Sequence, residues 1–334
     1  MRNVWQILFV AVLALPAGGG AFAAGPSTAP DDSLFLLGRR DVSCHDPSTI
    51  VKCKDEYWLF STGRGILSRH STNLIHWIPG PPVFAHVPAW TTNTIQGNNG
   101  TFWAPDVVHL GNRYLLYYAV STWGKRTSAI GLATNATLDP ADPDYAWKDE
   151  GPVIQTTDQS DCNAIDPAIT LDNDGKLWLA YGSYWTGIKL VELDPATGKR
   201  RATNSPISSL AYNSSIEASY IYHHEGFYYL FVNWGQCCQG VRSTYNIRIG
   251  RAQNITGPYH DKEGVDMLAG GGSLFLGSVG PLIGPGHAGI ITADGKDWLS
   301  CHFYDGTREG SRTLAILPLR WDAAGWPEVD ANTK

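Results

Sequence analysis

The sequence predicts an all-β protein, a five-bladed β-propeller, and three observations carry that expectation. A strand-like core, an aromatic or aliphatic residue followed by Leu, recurs five times. The recurrences are separated by blade-sized intervals of roughly 50–70 residues, each enough for about four strands. Long Ala/Glu/Lys/Leu runs of helical period are absent, while 13 Trp, 15 Tyr and 36 Gly suit many short strands joined by tight turns.

Taken in order, the first core is Tyr57-Trp58-Leu59-Phe60, running into Ser61-Thr62-Gly63. The second, Tyr114 to Ala119 around Leu115-Leu116, follows Gly111-Asn112. The third, Leu177 to Tyr181 around Trp178-Leu179, follows Asp174-Gly175. The fourth, Phe227 to Val232 around Tyr229-Leu230, follows Glu225-Gly226. The fifth, Asp297 to Phe303 around Trp298-Leu299, follows Asp294-Gly295. A polar residue paired with Gly ahead of an apolar run is a hairpin signal. Each core is followed by a further strand-like run: Gly65 to His70, Ala129 to Thr134, Gly187 to Leu193, Tyr245 to Ala252 and Arg312 to Leu319. Turn-associated aromatics then appear at Trp77, Trp147, Tyr259 and Trp321. Five such units fill residues 35–330. A β-sandwich or jelly roll is the alternative architecture, but it has no need of a five-fold spacing.

About 10–13 residues ahead of each Leu lies a polar residue in a small or apolar setting: Asp46, Asp106, Asp166, Glu217 and His287. Asp46, Asp166 and Glu217 share one offset. In a propeller the innermost strands line a common channel, so these positions should converge on one funnel. A carboxylate among Ile, Ala and Pro is unusual in a strand unless it is paired or used. Any single Asp in a strand-opening turn reads as structural; three at one register in separate repeats point to an enzyme that works with carboxylates. Two carboxyl groups across a sugar ring can hydrolyse a glycosidic bond, one as acid and one as base, and a third can tune the acid.

The flanking regions and composition narrow the setting. Arg2, the apolar run Val4 to Leu15 and Ala21-Phe22-Ala23 read as a secretory signal over residues 1–23, with a Pro/Ser/Asp-rich leader over 24–34. The apolar run is too short for a membrane span, and export to the extracellular space or periplasm is expected. A net charge of −6 without a Lys/Arg cluster argues against nucleic acid. Six Cys in an exported chain are candidates for disulfides. Cys44 and Cys53 are spaced to bridge neighbouring strands, while Cys237-Cys238 can form only a strained small ring or two separate bonds. Buried or free thiols are the plain alternative. No Cys-x-x-Cys pair offers a structural zinc site.

The stretches His45-Asp46-Pro47-Ser48, Trp103-Ala104-Pro105-Asp106, Asn163-Ala164-Ile165-Asp166-Pro167, Gly182-Ser183-Tyr184-Trp185-Thr186-Gly187-Ile188, Ile216-Glu217-Ala218 and Gly284-Pro285-Gly286-His287 occur in that order. Together they resemble glycoside hydrolase family 43, in particular its arabinanases. The resemblance implies a five-bladed propeller and an inverting hydrolase. It implies Asp46 as general base, Glu217 as general acid and Asp166 as the residue that raises the acid's pKa and holds it. Inversion requires base and acid about 6.5–9.5 Å apart. The resemblance also implies that His287 binds a calcium ion, largely through waters; a lone His is a poor calcium signal otherwise, since calcium prefers oxygen, and a His bonded only to nearby backbone is the alternative. No organic cofactor is implied.

Softer expectations surround this centre. Trp103 either stacks on a furanose face or packs in the core. Asn163 and Ser183 are placed to bond sugar hydroxyls, and His45 belongs with them or braces Asp46. Trp185 and Trp234 line the cleft or pack between blades. Asp106 receives no catalytic role. The expected activity is cleavage of internal α-1,5-L-arabinofuranosidic bonds in arabinan, a side chain of plant cell-wall pectin, by a monomer. An exo-acting α-L-arabinofuranosidase or β-xylosidase of the same family is the first alternative, although related β-xylosidases often carry an extra β-sandwich for which no residues remain. A non-catalytic carbohydrate-binding propeller is the second, and it would not need all three carboxylates.

Overall fold

The computed structural model describes residues 42–329. The expected signal and leader segments lie outside the described residues. Five antiparallel sheets follow one another along the chain, one per repeat. Blade 1 pairs Val51–Cys53, Glu56–Ser61, Leu67–Ser71 and Ile78–Pro79 in order. Blade 2 pairs Thr101–Leu110, Arg113–Ser121, Ser128–Asn135 and Lys148–Thr156, with the short Gly63–Arg64 segment on its inner edge. Blade 3 begins with Ala168–Leu171, Leu177–Tyr181 and Ile188–Asp194, blade 4 runs from Glu217–His224 to Ser273–Leu276, and blade 5 from Leu282–Ala293 to Pro327–Val329. The predicted doublets all fall in the second strand of their blades.

The reason for those doublets is now visible. Successive strand residues point to opposite sheet faces, and each blade here has a neighbour on both. Trp58 packs in the cluster between blades 1 and 2, Leu59 in that between blades 5 and 1. Leu115 and Leu116 divide between the blade 2–3 and blade 1–2 clusters. Tyr229 and Leu230 divide between the blade 4–5 and blade 3–4 clusters. Five apolar clusters thus alternate with five sheets around a ring, and the second strand of a blade must be apolar on both sides.

The ring is closed by the first described residues. Ser43 bridges Thr313 of blade 5, the Cys44 amide donates to the Arg312 carbonyl at 3.2 Å, and the Leu314 amide donates to the Val42 carbonyl at 2.9 Å.

The expected Cys44–Cys53 bridge does not form; all six cysteines are free. Cys44 is buried against blade 5 with Ile291 and Leu314. Cys53 is buried on the opposite side of blade 1, where its sulfur lies 3.6 Å from Thr137 Oγ1. Neighbours in sequence, the two face different blade interfaces.

Candidate active site

At the site register every inner strand departs from regular β geometry. Asp46, Asp166 and His287 have φ of 51°, 55° and 56°, and in blades 2 and 4 the neighbouring Ala104 and Ala218 have 40° and 52°. Pairing registers shift between Trp103 and Asp106, between Glu217 and Tyr220, and on both sides of Gly286. Left-handed backbone at a residue with a Cβ costs about 1–2 kcal/mol. A bulge re-aims the side chains around it, and here the effect is to turn carboxylates toward the axis rather than into the blade interfaces.

Asp46 is held on several sides. His45 Nδ1 lies 2.9 Å from its Oδ2, and the Thr62 hydroxyl donates to the same oxygen at 2.5 Å. Thr62 in turn accepts the Ala104 amide at 2.8 Å, which fixes its proton on the Asp46 side. His287 Nδ1 stands 3.1 Å from Asp46 Oδ1, and the His302 ring Nδ1 accepts the Asp46 amide at 3.2 Å. Burial alone would raise the Asp46 pKa, but the charges of His45 and His287 and their bonds outweigh it and hold the group well below the ordinary carboxylate range. Burial likewise disfavours a charged His45, yet Asp46 reverses this and lifts it to about 10. Asp46 is therefore an anion beside an imidazolium.

Glu217 is pushed the other way. Burial is the largest cause and the nearby Asp166 charge the second, lifting it to about 8 against the opposing pull of the Tyr245 hydroxyl. Asp166 is itself raised to about 6, chiefly by burial, with the charge of His287 opposing and that of Asp46 adding. Its Oδ2 accepts the Ala218 amide at 3.1 Å, which ties it to the backbone beside Glu217. One carboxyl is poised ionised and the other protonated at neutral pH, the division that acid–base hydrolysis requires.

Glu217 opens into a cleft of about 660 Å³ whose walls include Trp103, Trp123, Asn163, Ser183, Tyr184, Trp185 and Cys237. Asn163 accepts from Ser128 at 2.5 Å and donates to Ser183 at 3.0 Å. Trp185 is 38% exposed, with the Arg126 guanidinium 5.7 Å from its ring centre. Both ring nitrogens of His45 are engaged, by Asp46 and by the Tyr304 hydroxyl at 3.0 Å, so it braces the carboxylate. Trp234 packs against the blade 3–4 cluster under Arg248 and is not part of the cleft wall. Asp106 shares the inward register but serves structure: its two oxygens accept the Thr49 and Ile169 amides at 2.8 Å each, linking blades 1, 2 and 3.

The family model for glycosyl hydrolases family 43 matches residues 41–327. The chain belongs to this family. It is a glycoside hydrolase whose curated relatives include an extracellular exo-α-(1→5)-L-arabinofuranosidase of Cellvibrio japonicus, 40% identical over 89% of each chain. An extracellular endo-α-(1→5)-L-arabinanase of Bacillus subtilis is 38% identical over 92% of this chain and 94% of its own. A solved structure of Cellvibrio cellulosa α-L-arabinanase complexed with arabinohexaose superposes with a TM-score of 0.83 at 40% identity, covering 86% of this chain and 96% of that one.

Several parts of this family 43 site escaped the sequence reading. Thr62, Tyr245, His302 and Tyr304 hold or tune the carboxylates, and Trp123 widens the cleft wall. Only His302 carried a signal, a His inside the strand-like run Asp297 to Phe303, and the structure buries it fully in the strand Lys296–Asp305. His45, Asp46 and His302 also offer three potential ligand atoms within 4.8 Å of one another. Two nitrogens and one oxygen suit a transition metal better than calcium, and the Asp46 carboxylate among them is already paired. Among the described residues no helix is long and apolar enough to cross a membrane.

Proposed function

We propose that this hydrolase cleaves internal α-1,5-L-arabinofuranosidic bonds of arabinan with inversion and acts after export. One observation carries the reading: Asp46 is held ionised while Glu217, on the cleft wall, is held protonated. Asp46 takes a proton from water as its oxygen attacks the anomeric carbon. Glu217 gives its proton to the departing glycosidic oxygen as that bond breaks. Asp166 keeps Glu217 protonated, and His45 and Thr62 orient Asp46. Trp103 and Trp185 offer ring faces to furanose units, and Asn163 and Ser183 offer polar atoms to hydroxyls. The arabinan-acting relatives named above support the choice of substrate. Product analysis on linear arabinan tests it. A spread of short oligosaccharides should appear early, with turnover reduced about 10²–10⁴-fold in Glu217→Ala. Arabinose or one fixed oligomer from the outset would make the enzyme exo-acting. No products from arabinan would overturn the reading.

A calcium ion under the carboxylates belongs to the same proposal. His287 Nε2 is buried without a hydrogen-bond partner, which calls for a water or an ion. A hard cation takes oxygen ligands, so this nitrogen fits the ion through a coordinated water rather than by direct ligation. Such a cation would add positive charge near His287 and favour the ionised form of the adjacent Asp46. Metal analysis of the purified protein should find bound calcium, and chelation should lower the melting temperature. A metal-free protein with unchanged melting would overturn this.

A further inference from the structure

We propose that Cys237 and Cys238 are a modification site: a vicinal dithiol on the cleft wall that closes into a cyclic disulfide and thereby fixes that wall. The pair follows strand Phe227–Trp234 of blade 4. Its sulfurs lie 2.7 Å apart, far inside ordinary non-bonded contact. Cys238 has φ of 64°, a backbone turn that brings adjacent side chains to the same side. The turn is anchored: the Cys238 amide donates to the Tyr304 hydroxyl at 2.6 Å, the hydroxyl that also meets His45. Cys238 Sγ stands 3.8 Å from His45 Nε2. Cys237, Gln236 and Gln239 face the same cleft as Glu217.

The pair is also built to react. Its contact with Cys237 and the nearby His45 lower the Cys238 thiol below its ordinary range, burial opposing, and so favour the thiolate. Cys238 is exposed, whereas Cys44, Cys53, Cys162 and Cys301 are buried. The oxidant is a low-molecular-weight disulfide. The Cys238 thiolate attacks one of its sulfurs, the S–S bond breaks, and the first thiolate leaves. The Cys237 thiol then loses its proton to that thiolate and attacks the Cys238 sulfur, releasing the second. Two electrons pass from the protein to the small disulfide, and two small thiols are the products. In the ring form the Gln236–Gln239 segment has fewer conformations open to it. Reduction frees it, and arabinan must then order it on binding.

This inference rests on the reading of the cleft as the arabinan site, but its first measurement does not. Intact protein exposed to oxidised glutathione should lose the mass of two hydrogens, with peptide mapping placing the link at Cys237–Cys238. Adding reductant should then raise KM for arabinan oligosaccharides by about threefold to tenfold, the cost of ordering one or two side chains, and change kcat less. The double variant Cys237→Ser/Cys238→Ser should show no response to reductant. Should that variant fail to fold, the reversibility of the change in the wild type over oxidation and reduction provides the same comparison. Full alkylation of both thiols after oxidation, or a glutathione adduct that never closes, would overturn the ring. A ring whose reduction leaves KM unchanged would overturn its role in the cleft.

Discussion

Asp46 and Glu217 sit at one register with the same chemical group, and their surroundings drive them apart. Both are buried; the difference lies in neighbours. Asp46 has imidazoles and a hydroxyl, and Glu217 has another carboxylate. The role given to Asp166 follows from that contrast and can be tested by charge alone. In Asp166→Asn a nearby negative charge disappears, so the Glu217 anion becomes easier to form and its pKa falls from about 8. The acid is active only while protonated, hence the alkaline limb of the kcat/KM profile should move to lower pH. Turnover near neutrality should fall by about tenfold or more. The profile measured on soluble arabino-oligosaccharides decides it. An alkaline limb that stays in place would mean that burial, not Asp166, protonates Glu217. Sequence made the three carboxylates legible because register places them, but it left Thr62 and Tyr245 unseen, since a hydroxyl that tunes a distant carboxyl has no local signature.

The segment Gly182–Ile188 shows what an element contributes beyond its residues. It is a tight turn in which Tyr184 and Trp185 have φ of 49° and 31°, closed by the Gly187 amide donating to the Tyr184 carbonyl at 2.7 Å. Gly187 has φ of 78°, and a Cβ there would meet the Ala211 carbonyl oxygen at 2.1 Å. Neither the backbone conformation nor the space admits a side chain. Gly187→Ala should therefore cost about 2–5 kcal/mol, from left-handed strain plus overpacking. Chemical denaturation would read that loss. Because Ser183, Tyr184 and Trp185 ride on the turn and line the cleft, KM should rise in the folded fraction as well. An unshifted denaturation midpoint would show that the turn relaxes freely. The motif's glycines were visible in the sequence; the conformation they serve was not. The same holds for the bulges: alternation of apolar residues located the inner strands, yet it carries no mark of where a strand breaks its pairing to turn an Asp toward the axis. Likewise the spacing of Cys44 and Cys53 suggested a bridge because sequence distance does not reveal that one blade has two buried faces.

At the scale of the molecule the fold was legible for a simple reason. Each blade must bury both faces, so the chain repeats an apolar doublet, and five doublets give five blades. What closes the ring left no comparable trace: residues 42–44 pair with the strand Ser311–Trp321 in a stretch with no alternation of its own. With Asp46 as the proposed base, the closure bears on catalysis, because Asp46 lies only two residues beyond Cys44, the last residue of that pairing. In a protein truncated to begin at His45, the two hydrogen bonds to blade 5 disappear, along with the burial of Cys44. The loss in stability should be about 2–4 kcal/mol, at about 1 kcal/mol per hydrogen bond plus the apolar area exposed. Thermal unfolding would register it as a lower melting temperature. The more telling measurement is kcat well below that temperature. With its upstream anchor gone, Asp46 keeps its side-chain partners, its amide's bond to His302 and the downstream backbone bond from the Thr62 amide to the His45 carbonyl at 3.0 Å, but loses the backbone tie of residues 42–44 to blade 5. Turnover should drop even where the protein remains folded, while KM, set by the walls of blades 2 to 4, should change little. A truncated protein that melts earlier but keeps its kcat would show that His45, Thr62 and His287 suffice to position the base, and that ring closure serves stability alone.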